Sequence, residues 1–229
     1  YNNREIQGGI RKRAVHKKDG SDDLNLEVFL YDDVSGGAGL TSSLMTQRGA
    51  WKRLLNILKA SKQQLDGTTC LSMDGCETAC IGCLLDFRNA SEHHRLNRLE
   101  GLRILDYILE GAVPRPYAAE IERMEVTFHE LIRYIDEGIT VASDGDSLAF
   151  SKGQHKVKIY PYVSYIDPYD DPRMEALEEQ NIDWEPVDWD EDWSEVNSEY
   201  LAVPMRGLQR EPTAFVERIR AMLNPNFAP

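Results

Sequence analysis

Cys70-Leu-Ser-Met-Asp-Gly-Cys76-Glu-Thr-Ala-Cys80-Ile-Gly-Cys83 holds all four cysteines of this 229-residue chain, with spacers of five, three and two residues. That density is the strongest chemical signal in the sequence. Zn²⁺ prefers four thiolates in a tetrahedron, and a Cys-x2-Cys knuckle lets two sulfurs of one turn reach a single ion while the other pair arrives from an adjoining loop. Gly75 and Gly82 supply the backbone freedom this needs. Four thiolates leave no open position for water, so Cys70, Cys76, Cys80 and Cys83 read as ligands of a structural Zn²⁺ rather than a catalytic one. Such sites supply on the order of 10 kcal/mol of apparent binding free energy in small peptides, comparable to the stability of a domain. The same four thiolates also suit an iron–sulfur cluster, which stands as the alternative cofactor. Disulfides fit poorly, because such close cysteines make strained loops and nothing suggests export. His93 and His94 follow the knuckle and read as cap or surface residues rather than ligands.

Upstream of the cysteines, residues 11 to 31 suggest two strands around a turn at Asp19-Gly-Ser-Asp22, the second arm ending in strongly β-forming residues. The loop Asp32-Asp-Val-Ser-Gly-Gly-Ala-Gly39 follows, then a helix from Leu40 to Gln64 with apolar residues at Leu44, Trp51, Leu54, Leu55 and Leu58. Downstream, a wide apolar face predicts a helix from about Glu92 to Glu110, stopped by Gly111, Pro114 and Pro116. Residues 118 to 137 suit a helix, although Val126-Thr-Phe128 also suits a strand. Residues 138 to 165 alternate as strands with turns at Asp144-Gly-Asp146 and Lys152-Gly-Gln154, and residues 211 to 223 close the chain with a helix that has Pro212 in its first turn. The expected fold is α+β: mixed helices and short strands around a four-cysteine zinc knuckle, with a smaller β-rich C-terminal part. The expected domains are residues 1–116 and 117–229.

The net charge of -13 is unevenly distributed. Residues 1–116 hold 16 Lys+Arg and 15 Asp+Glu, whereas residues 117–229 hold 10 and 24, and Asp167 to Glu199 supplies 14 acids against Arg173 alone. The acidity therefore says little about the N-terminal half. There, Arg11, Lys12, Arg13, Lys17 and Lys18 form a basic run able to touch phosphates, and Gly36, Gly37 and Gly39, between a strand and a helix, could cradle one with backbone N–H groups. Asp32 and Asp33 before the glycines read as turn and helix-capping residues rather than a metal site. No run approaches the roughly eighteen apolar residues of a membrane span, and no basic-then-apolar leader opens the sequence, so a cytoplasmic location without membrane contact is expected. The chain opens with Tyr1, which suggests a piece of a longer parent.

Phe29-Leu-Tyr-Asp-Asp-Val-Ser-Gly-Gly-Ala-Gly39, the four cysteines, and Cys83-Leu-Leu-Asp-Phe-Arg-Asn89 with His93, Leu96 and Arg98 together resemble the DUF1998 domain over roughly residues 5 to 110. That domain occurs toward the C-terminus of helicase proteins of the MrfA type and in DrmB, the partner of a helicase in the DISARM anti-phage system. Ala90 and Asn97 depart from the family's pattern. The resemblance implies a zinc-binding role in DNA repair or phage defence, beside DNA and an ATP-driven helicase or translocase. The chain has no Gly-x4-Gly-Lys-Ser/Thr loop, so it reads as accessory to that motor and without catalysis of its own.

Two other classes of function can be built from the residues. A metal-dependent nuclease would combine Asp146 with Gln154 and Lys156 across a hairpin, and the glycine loop would serve a nucleotide-dependent enzyme. A protein-interaction module would use the segment Asp167 to Glu199, with Trp184, Trp189 and Trp193 among its carboxylates, to dock on a basic partner or mimic DNA. The plainer reading of that segment is a solubilising stretch whose tryptophans pack back onto the fold.

Overall fold

A computed structural model describes residues 6–16, 22–33, 39–46, 48–67, 70, 76, 78–193, 196 and 198–224. The fold is α+β, and its contacts divide it into two compact units, Tyr1–Leu99 and Glu100–Pro229. The charge-based boundary at 116/117 thus lies downstream of the division by contacts, which falls inside a helix rather than at the prolines. The C-terminal unit is the larger, where the sequence suggests a smaller one, and beside its strands it carries the helices expected near residues 118–137 and 211–223.

In the first unit, β1 (Ile6–His16) and β2 (Asp22–Asp32) form an antiparallel two-stranded ribbon that pairs Ile6 with Asp32 and His16 with Asp22. The Phe29 ring lies over Gly9 where a Cβ would stand, so a larger residue there would displace the ring. The expected Leu40–Gln64 helix is two helices, α1 (Leu40–Thr46) and α2 (Ala50–Leu65), broken at Gly49, whose φ of 83° suits a residue without a Cβ. The leucine spacing runs across that break and so conceals it. The helix expected from Glu92 likewise begins later: Phe87–Arg95 is 3-10 turn, and α3 spans Arg98–Glu110. Asn97 explains the later start. Its side chain accepts the Leu99 N–H at 2.9 Å, the bond an N-cap makes.

In the second unit, α4 (Ala118–Ile135) is helix throughout, and Glu120 in its first turn accepts the Tyr117 N–H at 3.0 Å. The sequence Thr140–Asp144 (β3), Ser147–Lys152 (β4) and His155–Tyr162 (β5) forms an antiparallel meander. Its two-residue loops open on Gly145 and Gly153, at φ 65° and 61°, the positive φ that a hairpin turn asks of its first residue. The chain then crosses through α5 (Pro172–Glu179) and the two-residue β6 (Glu185–Pro186) to β7 (Tyr200–Pro204). The sheet order is β3-β4-β5-β7-β6, with β7 parallel to both of its neighbours. Helices α6 (Met205–Arg210) and α7 (Pro212–Met222) end the fold.

Strand alternation gives this sheet two apolar faces. Val157, Ile159, Leu201 and Val203 join one cluster with α4, α6 and α7, centred on Phe128, Phe150 and Phe215, whose ring centroids lie 5.0–5.7 Å apart. Tyr160 and Ala202 point the other way and meet Met174 and Leu177 of α5. Among the described residues no helix is long and apolar enough to cross a membrane.

Candidate metal centre

The last turn of α2 and the N-terminus of α3 frame the cysteine segment. Asp66 caps α2 through its N–H to the Lys62 carbonyl, and the Cys70 N–H reaches the Gly67 carbonyl at 3.1 Å. The Cys80-Ile-Gly-Cys83 knuckle closes as a tight turn, in which the Cys80 carbonyl accepts the N–H groups of Cys83, Leu84 and Leu85 at 2.9–3.0 Å. Within it the Cys80 N–H points at the Cys83 sulfur, 3.2 Å away, a donor suited to a thiolate.

The ligand atoms of Cys70, Cys76, Cys80 and Cys83 all lie within 4.8 Å of one another. The Cys76 sulfur is 3.6 Å from that of Cys70 and 3.5 Å from that of Cys83. A tetrahedron with Zn–S bonds of about 2.3 Å has an edge of about 3.8 Å, so the cage matches one Zn²⁺. An iron–sulfur cluster interposes several metal and sulfide atoms between its cysteines and would spread them further. Burial, helped by the neighbouring sulfurs, pushes the Cys76 thiol up to about 12, and burial also raises Cys83. Packing four thiolates this closely is unfavourable unless a divalent cation neutralises them.

A shell of side chains holds this loop. Arg98, 9% exposed, donates from Nε to the Cys76 carbonyl at 2.6 Å and from Nη1 to the Leu65 carbonyl at 2.9 Å. Its backbone N–H reaches the Thr78 carbonyl at 2.6 Å. One arginine therefore ties the cysteine loop to the end of α2. Gln64 donates to the Gly82 carbonyl from the other side. Past the knuckle, Asn89 donates to the Leu84 carbonyl at 2.8 Å and accepts the Asp86 N–H at 2.8 Å, while His93 Nε2 lies 2.9 Å from Asn89 Oδ1. His93 is thus part of a turn, outside the cysteine cage. Roles for Arg98 and Gln64 were not legible from the sequence, because both act through backbone carbonyls distant in the chain.

The other expected site residues are scattered. Arg11 and Arg13 lie on one face of β1 and share Glu27, at 2.5 and 2.8 Å, so one carboxylate answers two guanidiniums. Lys12 sits between them on the strand, while Lys17, Lys18, Gly36 and Gly37 lie outside the described residues. Gly39 takes φ 71°, and the Asp32 carboxylate accepts the Thr41 N–H at 2.8 Å, capping α1 as its position suggested. The nuclease arrangement does not form. Asp146 stands in the β3–β4 turn, whereas Gln154 and Lys156 stand at the far end of β4, roughly 20 Å away along six residues of strand. The carbonyl of Asp146 instead accepts Arg173 Nη1 at 2.8 Å.

The tryptophans of the acidic segment pack inward. Trp193 is 5% exposed in the main core, Trp189 and Trp193 both flank Phe215, and the Arg218 guanidinium lies 5.0 Å from each indole. Trp184 packs beside Met174 and Leu177, with its Nε1 donating to Glu178 at 3.1 Å. Arg173, the segment's one base, is buried against Asp171 at 2.6 Å.

The family model of the MrfA Zn-binding domain matches residues 1–84, which contain all four cysteines. Among curated proteins, the chain is 37% identical over 97 residues to the Druantia protein DruE of Escherichia coli (strain UMEA 4076-1). That match covers 42% of the chain and 5% of DruE, so the chain spans about a twentieth of that relative's length. No solved structure matches the chain. The family match and the four-sulfur cage agree on Zn²⁺ as the cofactor.

Proposed function

We propose that Cys70, Cys76, Cys80 and Cys83 bind one structural Zn²⁺, and that the N-terminal unit so fixed is an accessory domain contributing to DNA or motor-partner binding in a larger DNA-processing protein. The observation that carries this is the four-sulfur cage, of tetrahedral size and with no fifth protein ligand among the described residues. In such a centre zinc supplies folding free energy and polarises no substrate, since no coordination position is left for one. The chain's own residues do the positioning: Arg98 and Gln64 anchor the loop, and the Asn89–His93 turn shapes the surface beyond the knuckle. The resemblance implies DNA repair or anti-phage defence, and the likeness to a Druantia protein supports the second.

The DNA contact belongs to the β1–β2 ribbon, where Arg11 and Arg13 share a single acid. Fluorescence anisotropy of labelled DNA at increasing salt tests it. Weak, salt-sensitive binding that falls in an Arg11→Gln/Arg13→Gln variant is expected, and binding absent at low salt refutes the DNA contact. A second reading, docking on a helicase or translocase subunit, is favoured by the exposed run Phe29, Leu30 and Tyr31 on β2. It expects a stable complex with the motor that survives salt and is lost on Phe29→Ser/Tyr31→Ser substitution.

A further inference from the structure

Strands β5, β7 and β6 run parallel, so their carboxyl ends share one edge of the sheet. The chain leaves β5 for α5, which packs on the Tyr160–Ala202 face, and leaves β7 for α6 and α7, which pack on the Leu201–Val203 face. Where neighbouring parallel strands send their connections to opposite faces, a crevice opens beyond their carboxyl ends, and open α/β sheets bind ligands there. A cleft of about 400 Å³ lies at that place. It is lined by Tyr162 at the end of β5 and Ser164 after it, Asp188 and Asp190 after β6, and Arg206 and Arg210 of α6. Its size is that of a small-molecule site, well below what a duplex or a folded partner would fill.

The lining carries both charges, with Asp188, Asp190 and Glu211 beside Arg206 and Arg210. Arg206 and Arg210 stand one helical turn apart, both are exposed, and among the described residues neither makes an ion pair, although carboxylates line the same cleft. Elsewhere in the unit, Arg103 and Arg173 are buried in ion pairs, Arg220 lies 3.6 Å from Asp136, and Arg218 lies against two tryptophans. Guanidinium forks match the oxygens of a phosphate. Asp188 and Asp190, on the same lining, can accept hydrogen bonds from hydroxyl groups. Burial, then Asp188 and Asp167, hold the Tyr162 phenol protonated, so its O–H remains a donor.

We propose that this cleft binds a mononucleotide-sized phosphate ester, with Arg206 and Arg210 on the phosphate and Asp188 and Asp190 on sugar hydroxyls. The proposal does not depend on the zinc centre. It is tested by calorimetric titration of the full zinc-loaded chain with AMP, ribose 5-phosphate, adenosine and inorganic phosphate. AMP and ribose 5-phosphate should saturate at millimolar concentration or below, and adenosine should bind at least tenfold more weakly, having lost the charged group. Arg206→Gln/Arg210→Gln should weaken AMP by about tenfold to a hundredfold with zinc content and far-UV spectrum unchanged, while Arg133→Gln, exposed on α4, should leave AMP binding as it was. Asp188→Asn should weaken AMP but not inorganic phosphate. Absence of saturable AMP and ribose 5-phosphate binding overturns the site. Equal affinity for adenosine and AMP, or AMP binding indifferent to the double arginine variant, overturns the assignment of the arginines.

Discussion

Removing the Arg98 side chain should loosen the zinc centre without touching a sulfur. The guanidinium makes two charge-assisted bonds to carbonyls, at Cys76 and Leu65, from a position 9% exposed. Each such bond contributes about 1.5–3 kcal/mol, so Arg98→Ala should cost the first unit about 3–5 kcal/mol in all. Only the Cys76 bond acts directly on a cage residue, so the share appearing as zinc affinity is smaller, about 10- to 100-fold, the range usual for residues behind metal ligands. Arg98→Lys keeps the charge but offers a single point donor in place of a fork, and should fall between wild type and alanine. Competition for zinc with a colorimetric chelator at neutral pH reads the affinity, and thermal unfolding of the zinc-loaded chain reads the stability. An Arg98→Ala chain that holds zinc and melts like wild type would refute the reasoning.

Three further outcomes are expected. Cys76→Ser and Cys83→Ser should each lose the metal and open the first unit to protease, while the second unit survives as a protected fragment beginning near residue 100, because it owns a separate core. Glu120→Ala should cost about 3 kcal/mol in urea unfolding, since Arg103, fully buried against it, would keep only Glu100 at 2.6 Å as a charged partner. Asp136 accepts Lys152 at 2.6 Å and the Gly138 N–H at 3.1 Å, and the lysine bond chiefly holds its carboxyl below the ordinary range. A depressed folded pKa stabilises above the unfolded value near pH 4 and ceases to do so as pH falls through the folded value. Asp136→Asn should therefore cost about 1–2 kcal/mol at neutral pH, and the gap to wild type should close in strong acid.

The cysteine cage was legible because zinc fixes both residue type and spacing, and the hairpins because Gly145 and Gly153 mark their turns directly. Helix ends were less legible. Gly49 interrupts an apolar pattern that continues across it, and Asn97 caps a helix the pattern began earlier. In the acidic segment, Asp171 before Pro172 was a local helix-start signal hidden by the surrounding charge. The parallel pairing of β5 with β7, and the seat of Trp189 over Gly207, join residues far apart in sequence and leave no local trace.

Metal analysis of the purified chain, together with its visible absorption, tests the central claim most directly. One zinc per chain, no colour, and loss of that zinc in Cys76→Ser are the predicted results. Iron with a brown chromophore, or full zinc content in the serine variant, would contradict the four-cysteine zinc centre.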